Sequence, residues 1–438
     1  MAGTLLIDAG DDSLLIDGDR IVALGQDALV VGEGVERLAA GEGAVVRGAE
    51  VNAHTHLYSG LAGLGMPPPQ PAPENFVQIL ERVWWKLDRA LDAASLRAAA
   101  RLYVAEALLA GTTALIDHHE SPVFLEGSLD VLADAAQELG CRLATGYGAT
   151  ERNGGRDEAR RGLEECRRFA LANKRPLVRP LVALHASFTV SDRTISEAGD
   201  LCRELGIPMH VHVAEDQADT LDAHKRGYEG AYHRLAKLDA LPPGSILAHG
   251  VDLDDPAVHV AETNGLWLVQ NPRSNRGNRV GWPYALSATT RVALGTDGYP
   301  ATMREEWVAA ADGMIENADR RAAEDPEILL RRRHGAHRIA AERFGAAFGS
   351  HPESGHAADI AIHSAPGGTS SALATVLEDV DLFRARRRLD PAIARPRHVV
   401  SAGRLVVRDG RLLTGDEAAI RAEASEQAAR LWSRMGAL

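Results

Sequence analysis

Residues 49–56 read AEVNAHTH, a short run that ends in two histidines one residue apart. A strand repeats every second residue, so His54 and His56 share a face. Further short apolar, β-branched runs follow at 112–118, 142–147, 178–185, 207–213, 245–249, 266–270 and 291–296. Between them lie Ala-, Leu-, Glu- and Arg-rich stretches of helical period, including 93–110, 156–172, 193–205 and 217–238. Eight strands with helical connections over roughly 250 residues predict an α/β fold, a (β/α)8 TIM barrel.

The flanks have a different texture. Residues 3–50 hold short strands separated by Gly/Asp turns, and 357–413 return to that style with ADIAIHS and HVVSAGRLVVRDGRLLTG. Asp-Gly pairs at 17–18 and 409–410 are hairpin signals. Both ends therefore read as parts of one small composite β-sandwich, segments 1–49 plus 351–438, beside a barrel over 50–350. The stretch 416–435 has helical period.

Composition narrows the function classes. The chain has 438 residues, 45% apolar and 25% charged, as in an ordinary globular enzyme. Its net charge of −13 disfavours nucleic acid and anionic membranes as partners. No apolar run reaches membrane-span length. Three cysteines (Cys141, Cys166, Cys202) build no disulfide framework or metal cluster, and the first residues carry no secretory pattern. A reducing, cytoplasmic location is the expectation.

In a TIM barrel the catalytic groups stand at the C-terminal ends of the strands. His54 and His56 end the first strand there, and paired imidazoles on one face begin a divalent metal site. HVHVAE (210–215) ends the fifth strand, with His210 and His212 on one face and Glu215 just beyond. A carboxylate at that point can shuttle a proton; taken alone, it also suits a surface ion pair. His249 ends the sixth strand in SILAHG, and Asp297 ends the eighth in ALGTDG. Any one of these can be a satisfied structural group, but four strands delivering them to one rim point to metal-assisted chemistry.

Other candidates are less specific. His185 ends the fourth strand, and His118 and His119 follow the second; either of the pair can face the pocket or hydrogen-bond behind it. Trp84 and Trp85 sit at helical spacing with Leu80, Leu87 and Leu91, as core residues or with one ring stacked on a flat heterocycle, and Phe188 is a second stacking candidate. Asn271, Arg273, Ser274 and Asn275 follow the seventh strand and either bond substrate or hold the loop. The Pro-rich MPPPQPAP (66–73) is a rigid linker or a pocket wall. Basic runs 331–333 and 386–388, with acidic neighbours, read as solvated faces.

This constellation resembles the amidohydrolase superfamily, deaminase (triazine-hydrolase-like) branch, over nearly the whole chain. WWKLDRALD (84–92), IDHHESP (116–122), LHASFTVSD (184–192), HVAED (212–216), AHG (248–250), NPRSNRGNRVG (271–281) and LGTDG (294–298) are most similar to the SsnA-like aminohydrolases. The resemblance implies His54, His56, His212 and Asp297 as ligands of one divalent metal ion, Zn²⁺ with Fe²⁺ as the alternative. It implies Glu215 as proton shuttle, His249 and Asp297 as catalytic partners, and His185 as a substrate contact. The fourth strand, VRPLVALHA (178–186), lacks the lysine of two-metal members, so one metal is expected. Related chains carry an acidic residue near the end of the third strand, where this chain has Gly148. The implied reaction is hydrolytic release of ammonia from an amino-bearing carbon of a nitrogen heterocycle by a metal-activated water. Ring opening or dechlorination at the same site is the alternative, and a silent barrel kept for binding or assembly is a distant one. Dimers are common among such barrels, so a homodimer stays open.

Overall fold

The computed structural model describes residues 3–32, 34–325, 327–364 and 395–438. Eight parallel strands run side by side: Glu50–Thr55, Thr112–His119, Arg142–Ala149, Val182–Ala186, Met209–Val213, Ile246–His249, Trp267–Gln270 and Val292–Leu294. Closure is made by a parallel bridge between Thr55 and Asp297, with Asp297 N–H donating to His54 O at 3.0 Å. The fourth strand, expected as one run over 178–185, comes in two pieces, Val178–Pro180 and Val182–Ala186. Pro180 has no N–H to give the ladder, and the pairing passes from one piece to the next there.

One register shift decides the active end. Val51 and Ala53 join the apolar cluster of the barrel interior, yet Asn52 and Thr55 bond Tyr103 on a surrounding helix. The pairing of the first strand with the second slips between Asn52 and Thr55. Such a bulge swaps the alternation, so that His54 and His56 face inward above Val51. The interior below them is filled by Ile116, Trp267 and Val269 and capped by Ile339 and Phe344 of the helix Ile328–Phe344. One barrel end is therefore packed apolar and the other polar.

The terminal segments form two sheets. One pairs Arg20–Leu24, Leu14–Asp17, Thr4–Asp8 and Glu36–Ala39; the other pairs Arg411–Leu412, Arg404–Arg408, His398–Ser401, Ile360–His363 and Val45–Gly48. Leu5, Ile7 and Ile16 of the first share an apolar cluster with Val46, Ile360 and Val400 of the second. The Asp409-Gly410 hairpin has both residues at positive φ, +49° and +72°, as a two-residue type I′ turn requires. The last helix runs Glu417–Gly436.

Two expectations change. The run 331–333 is no solvated face: Arg332 and Arg333 are buried. Arg332 Nε donates to Gln270 Oε1 at 2.7 Å, and Arg333 pairs with Glu50 at 2.9 Å beneath the barrel, so these cations tie the helix to the strands. The run 386–388 lies outside the described residues. The Pro-rich stretch is largely exposed coil, and the cavity is walled instead by Phe76 and Leu80 just after it. Cys141, Cys166 and Cys202 are buried free thiols. Among the described residues no helix is long and apolar enough to cross a membrane.

Closure of the barrel is backed by one hydroxyl. Tyr103 OH receives Thr55 Oγ1 at 2.6 Å and Asn52 Nδ2 at 3.3 Å, meets Thr296 Oγ1 at 2.7 Å and donates to Tyr299 O at 3.2 Å. Tyr103→Phe leaves these buried groups short of a partner. We expect a loss of about 1–3 kcal/mol in denaturant unfolding. An unchanged midpoint would mean that closure does not depend on this hydroxyl.

Candidate active site

Four strand ends deliver the predicted groups to one buried cluster. Nε2 of His56 lies 2.8 Å from Asp297 Oδ1 and 3.2 Å from Nε2 of His212, and Nε2 of His54 is 3.3 Å from the same carboxylate oxygen. Ligand atoms of His54, His212, His249 and Asp297 all lie within 4.8 Å of one another. The other ring nitrogens are committed. His56 Nδ1–H donates to His118 O and His212 Nδ1–H to His185 O, each at 2.6 Å. His54 Nδ1 meets His210 Nε2 at 2.9 Å, which gives His210 a supporting place behind the site.

The donor chemistry fits a cation. Two imidazoles whose Nδ1–H bonds are spent turn Nε2 toward each other, and two lone pairs there repel, so the pair calls for a positive charge: a proton on His56 or a cation between the rings. Nε2 of His249 is buried with no hydrogen-bond partner. Burial pushes His54 down to about 3, against the pull of Asp297. Burial also opposes charge on His56, but the Asp297 hydrogen bond and charge outweigh it and raise His56 to about 9. Asp297 is itself held well below the carboxylate range: burial opposes ionisation, and its bonds to His54 and His56 prevail. Three imidazoles and a carboxylate in this relation are a donor set that fits a divalent metal ion.

Backbone strain marks the same rim. Ala214, His249 and Asp297 have φ of +50°, +75° and +54°, a region that side chains seldom occupy. Each sits where a strand turns into its loop, and at His249 and Asp297 the turn brings the side chain into the cluster.

Glu215 is half-buried, with Oε2 3.5 Å from His249 Nε2 and Oε1 accepting from Asn278 Nδ2 at 3.0 Å. Burial chiefly raises its carboxyl to about 7, offset in part by His249. Above these groups opens a cleft with about 590 Å³ of atom-free space, the open solvent at its mouth included. Trp84, Trp85, Phe76 and Phe188 wall it, and His185 lines it. Trp84 lies flush on Gly298, where a Cβ would stand 2.8 Å from its Cη2. Arg152 stacks 4.9 Å over Trp85 and pairs with buried Asp88 at 2.9 Å.

Other predicted contacts stand behind the wall. His119 is buried, bonded to Ser121 Oγ at 2.8 Å and outside the cleft lining. Asn271 turns its amide to Val269 O at 3.3 Å, and Ser274 donates to Asp297 Oδ2. Sequence reading missed Glu120 and Tyr58, which both line the cleft and share a 3.1 Å hydrogen bond. Strand alternation from His118 was the available signal for Glu120.

Residues 49–341 match the amidohydrolase family. The chain is 29% identical to a 5'-deoxyadenosine deaminase of Methanopyrus kandleri, over 90% of this chain and 88% of that protein. It is 27% identical to a 5-methylthioadenosine/S-adenosylhomocysteine deaminase of Haloarcula marismortui, over 99% and 96%. In structure it resembles a zinc-bound adenosine deaminase of Xanthomonas campestris, with a TM-score of 0.82 and 23% identity over 98% and 99% of the two chains. A zinc complex of an atrazine chlorohydrolase from Arthrobacter aurescens gives 0.78 at 22% identity, over 97% and 100%.

A cation seated among these rings is expected to leave when one ring is removed. His56→Ala and His212→Ala should each purify with far less metal than wild type by atomic emission. Wild-type metal content in both variants would place the cation elsewhere.

Proposed function

The chain belongs to the amidohydrolase family, and on that premise we propose that it is a metal-dependent aminohydrolase. Its substrate is a flat nitrogen heterocycle, an adenosine-type purine first, which loses an amino group as ammonia. The observation that carries the reading is Glu215: a half-buried carboxyl held at about 7 on the rim of the histidine–aspartate cluster. A carboxyl at that value exchanges protons in both directions near neutral pH.

His54, His56, His212 and Asp297 are the ligands we assign to one divalent ion, zinc for preference, since zinc accepts this imidazole–carboxylate set and iron shares it. Such an ion supplies Lewis acidity and a water acidified toward neutrality. The remaining work falls to side chains. Asp297 accepts a proton from the attacking water. His249, with Nδ1–H given to Asn275 Oδ1 at 3.0 Å, presents a bare Nε2 that orients that water. Glu215 gives its proton to a ring nitrogen, and as a carboxylate it then takes the proton of the added hydroxyl and passes it to the leaving amine; the proton held by Asp297 returns to Glu215. Trp84, Trp85, Phe76 and Phe188 offer flat apolar surface to a heterocycle and exclude bulk water. His185 and Glu120 present polar atoms to its edge.

The test is ammonia release from a panel of aminated purines, pterins, pyrimidines and triazines. Wild type loaded with Zn²⁺ or Fe²⁺ runs beside Glu215→Gln. We expect release by wild type and a fall of about 10²–10⁴-fold in kcat for Glu215→Gln, with metal content kept. Normal turnover by that variant removes the shuttle role. Substrate consumed without ammonia points to ring opening or loss of another group.

A further inference from the structure

We propose that the helix Pro272–Asn278 is a positioning clamp that fixes three reacting side chains at once: Ser274 holds Asp297, Asn275 holds His249 and Asn278 holds Glu215. The inference rests on the roles assigned above to those three groups.

Each contact removes one choice from its partner. Asn278 spends its amide nitrogen on Glu215 Oε1 at 3.0 Å and on Ser274 Oγ at 3.2 Å. An amide N–H only donates, so Oε1 must accept, and the proton of Glu215 belongs on Oε2, the oxygen nearest His249. Ser274 in turn donates to Asp297 Oδ2. That leaves Oδ1 for the side of the cluster where His56 and His54 stand, at 2.8 and 3.3 Å. Asn275 Oδ1 takes Nδ1–H of His249, which fixes the ring's orientation with Nε2 toward the cluster. A continuous chain therefore runs from Glu215 through Asn278 and Ser274 to Asp297.

The helix is built to hold still. Pro272 opens it without a wasted N–H, and Asn275 N–H closes the first turn on Asn271 O at 2.8 Å. Arg273 anchors it from behind, to the fully buried Glu306 and to Pro300 O at 2.7 Å. Positions 274, 275 and 278 are one turn's reach of one another. Ser274 and Asn275 do not line the cleft, so they act through the groups they hold.

The experiment compares Ser274→Ala, Ser274→Thr and Asn278→Leu with wild type. Zn²⁺ affinity is measured on metal-free protein by chelator competition, the Co²⁺ absorption spectrum reports ligand geometry, and kcat and KM are taken separately. Ser274→Ala should weaken Zn²⁺ binding by about 10–100-fold and alter the Co²⁺ spectrum, and Ser274→Thr, which keeps the hydroxyl, should restore both. Asn278→Leu should lower kcat by about 10–100-fold with Zn²⁺ affinity and KM little changed. Wild-type Zn²⁺ affinity in Ser274→Ala, or no restoration by threonine, overturns the clamp. So does an Asn278→Leu in which kcat, KM, metal affinity and melting temperature all move together, the mark of simple packing. If wild type releases no ammonia from any substrate, the functional reading fails, and the metal-affinity arm still decides the clamp.

Discussion

The arrangement of this molecule turns on a repulsion. Nε2 of His56 and Nε2 of His212 face each other at 3.2 Å, and both rings have already given their Nδ1–H to backbone carbonyls. Two lone pairs at that separation in a buried site are unstable without a positive charge. The fold maintains this opposition because the carbonyls that fix the rings belong to neighbouring strand ends, His118 and His185. The pairing of neighbouring strands thus also sets the ring tautomers. Asp297, which bridges to Thr55, belongs to the closing strand end and supplies the negative charge that makes a cation welcome.

Precision is added in layers around that point. The bulge between Asn52 and Thr55 turns His54 and His56 inward, and Tyr103 secures it from outside. Left-handed backbone at His249 and Asp297 turns those side chains over the mouth. Such conformations cost of order 1–3 kcal/mol each, and they persist here because dense hydrogen bonding surrounds them. The short helix after the seventh strand belongs to the same logic. It spends polar side chains on orienting other side chains, a use that suits groups whose function depends on which of two atoms is free.

Much of this was legible in the sequence. Alternation of short apolar runs with helical stretches located all eight strands, because barrel strands are apolar and the helices between them amphipathic. The two Asp-Gly signals marked real hairpins. The residues of the histidine–aspartate cluster were readable because each ends a strand. What escaped depends on tertiary contact. Nothing local to 331–333 says that Arg332 will lie against Gln270 under the barrel. Ser274 looked like a substrate contact because it follows a strand, and only the fold brings it within reach of Asp297. Asn278 sits in the same motif, four residues on, but its partner Glu215 is 63 positions away in the chain.

Gly148 shows how a departure from a family pattern can mislead when read along one strand. Its lack of a carboxylate suggests a less acidic wall. In space, a Cβ at 148 would stand 2.8 Å from Glu120 Oε1 and 2.4 Å from His118 Cε1. The room that a side chain on the third strand would need is filled from the second. Glu120 is well below the carboxylate range; burial opposes its ionisation, and the surrounding imidazoles, His185 foremost, overcome it. The wall therefore keeps an ionised acceptor that arrives by a different route, with Tyr58 on its other oxygen. Glycine at 148 is then the condition for placing Glu120, so the two positions constrain each other: any side chain at 148 must displace the carboxylate or the His118 ring beside it.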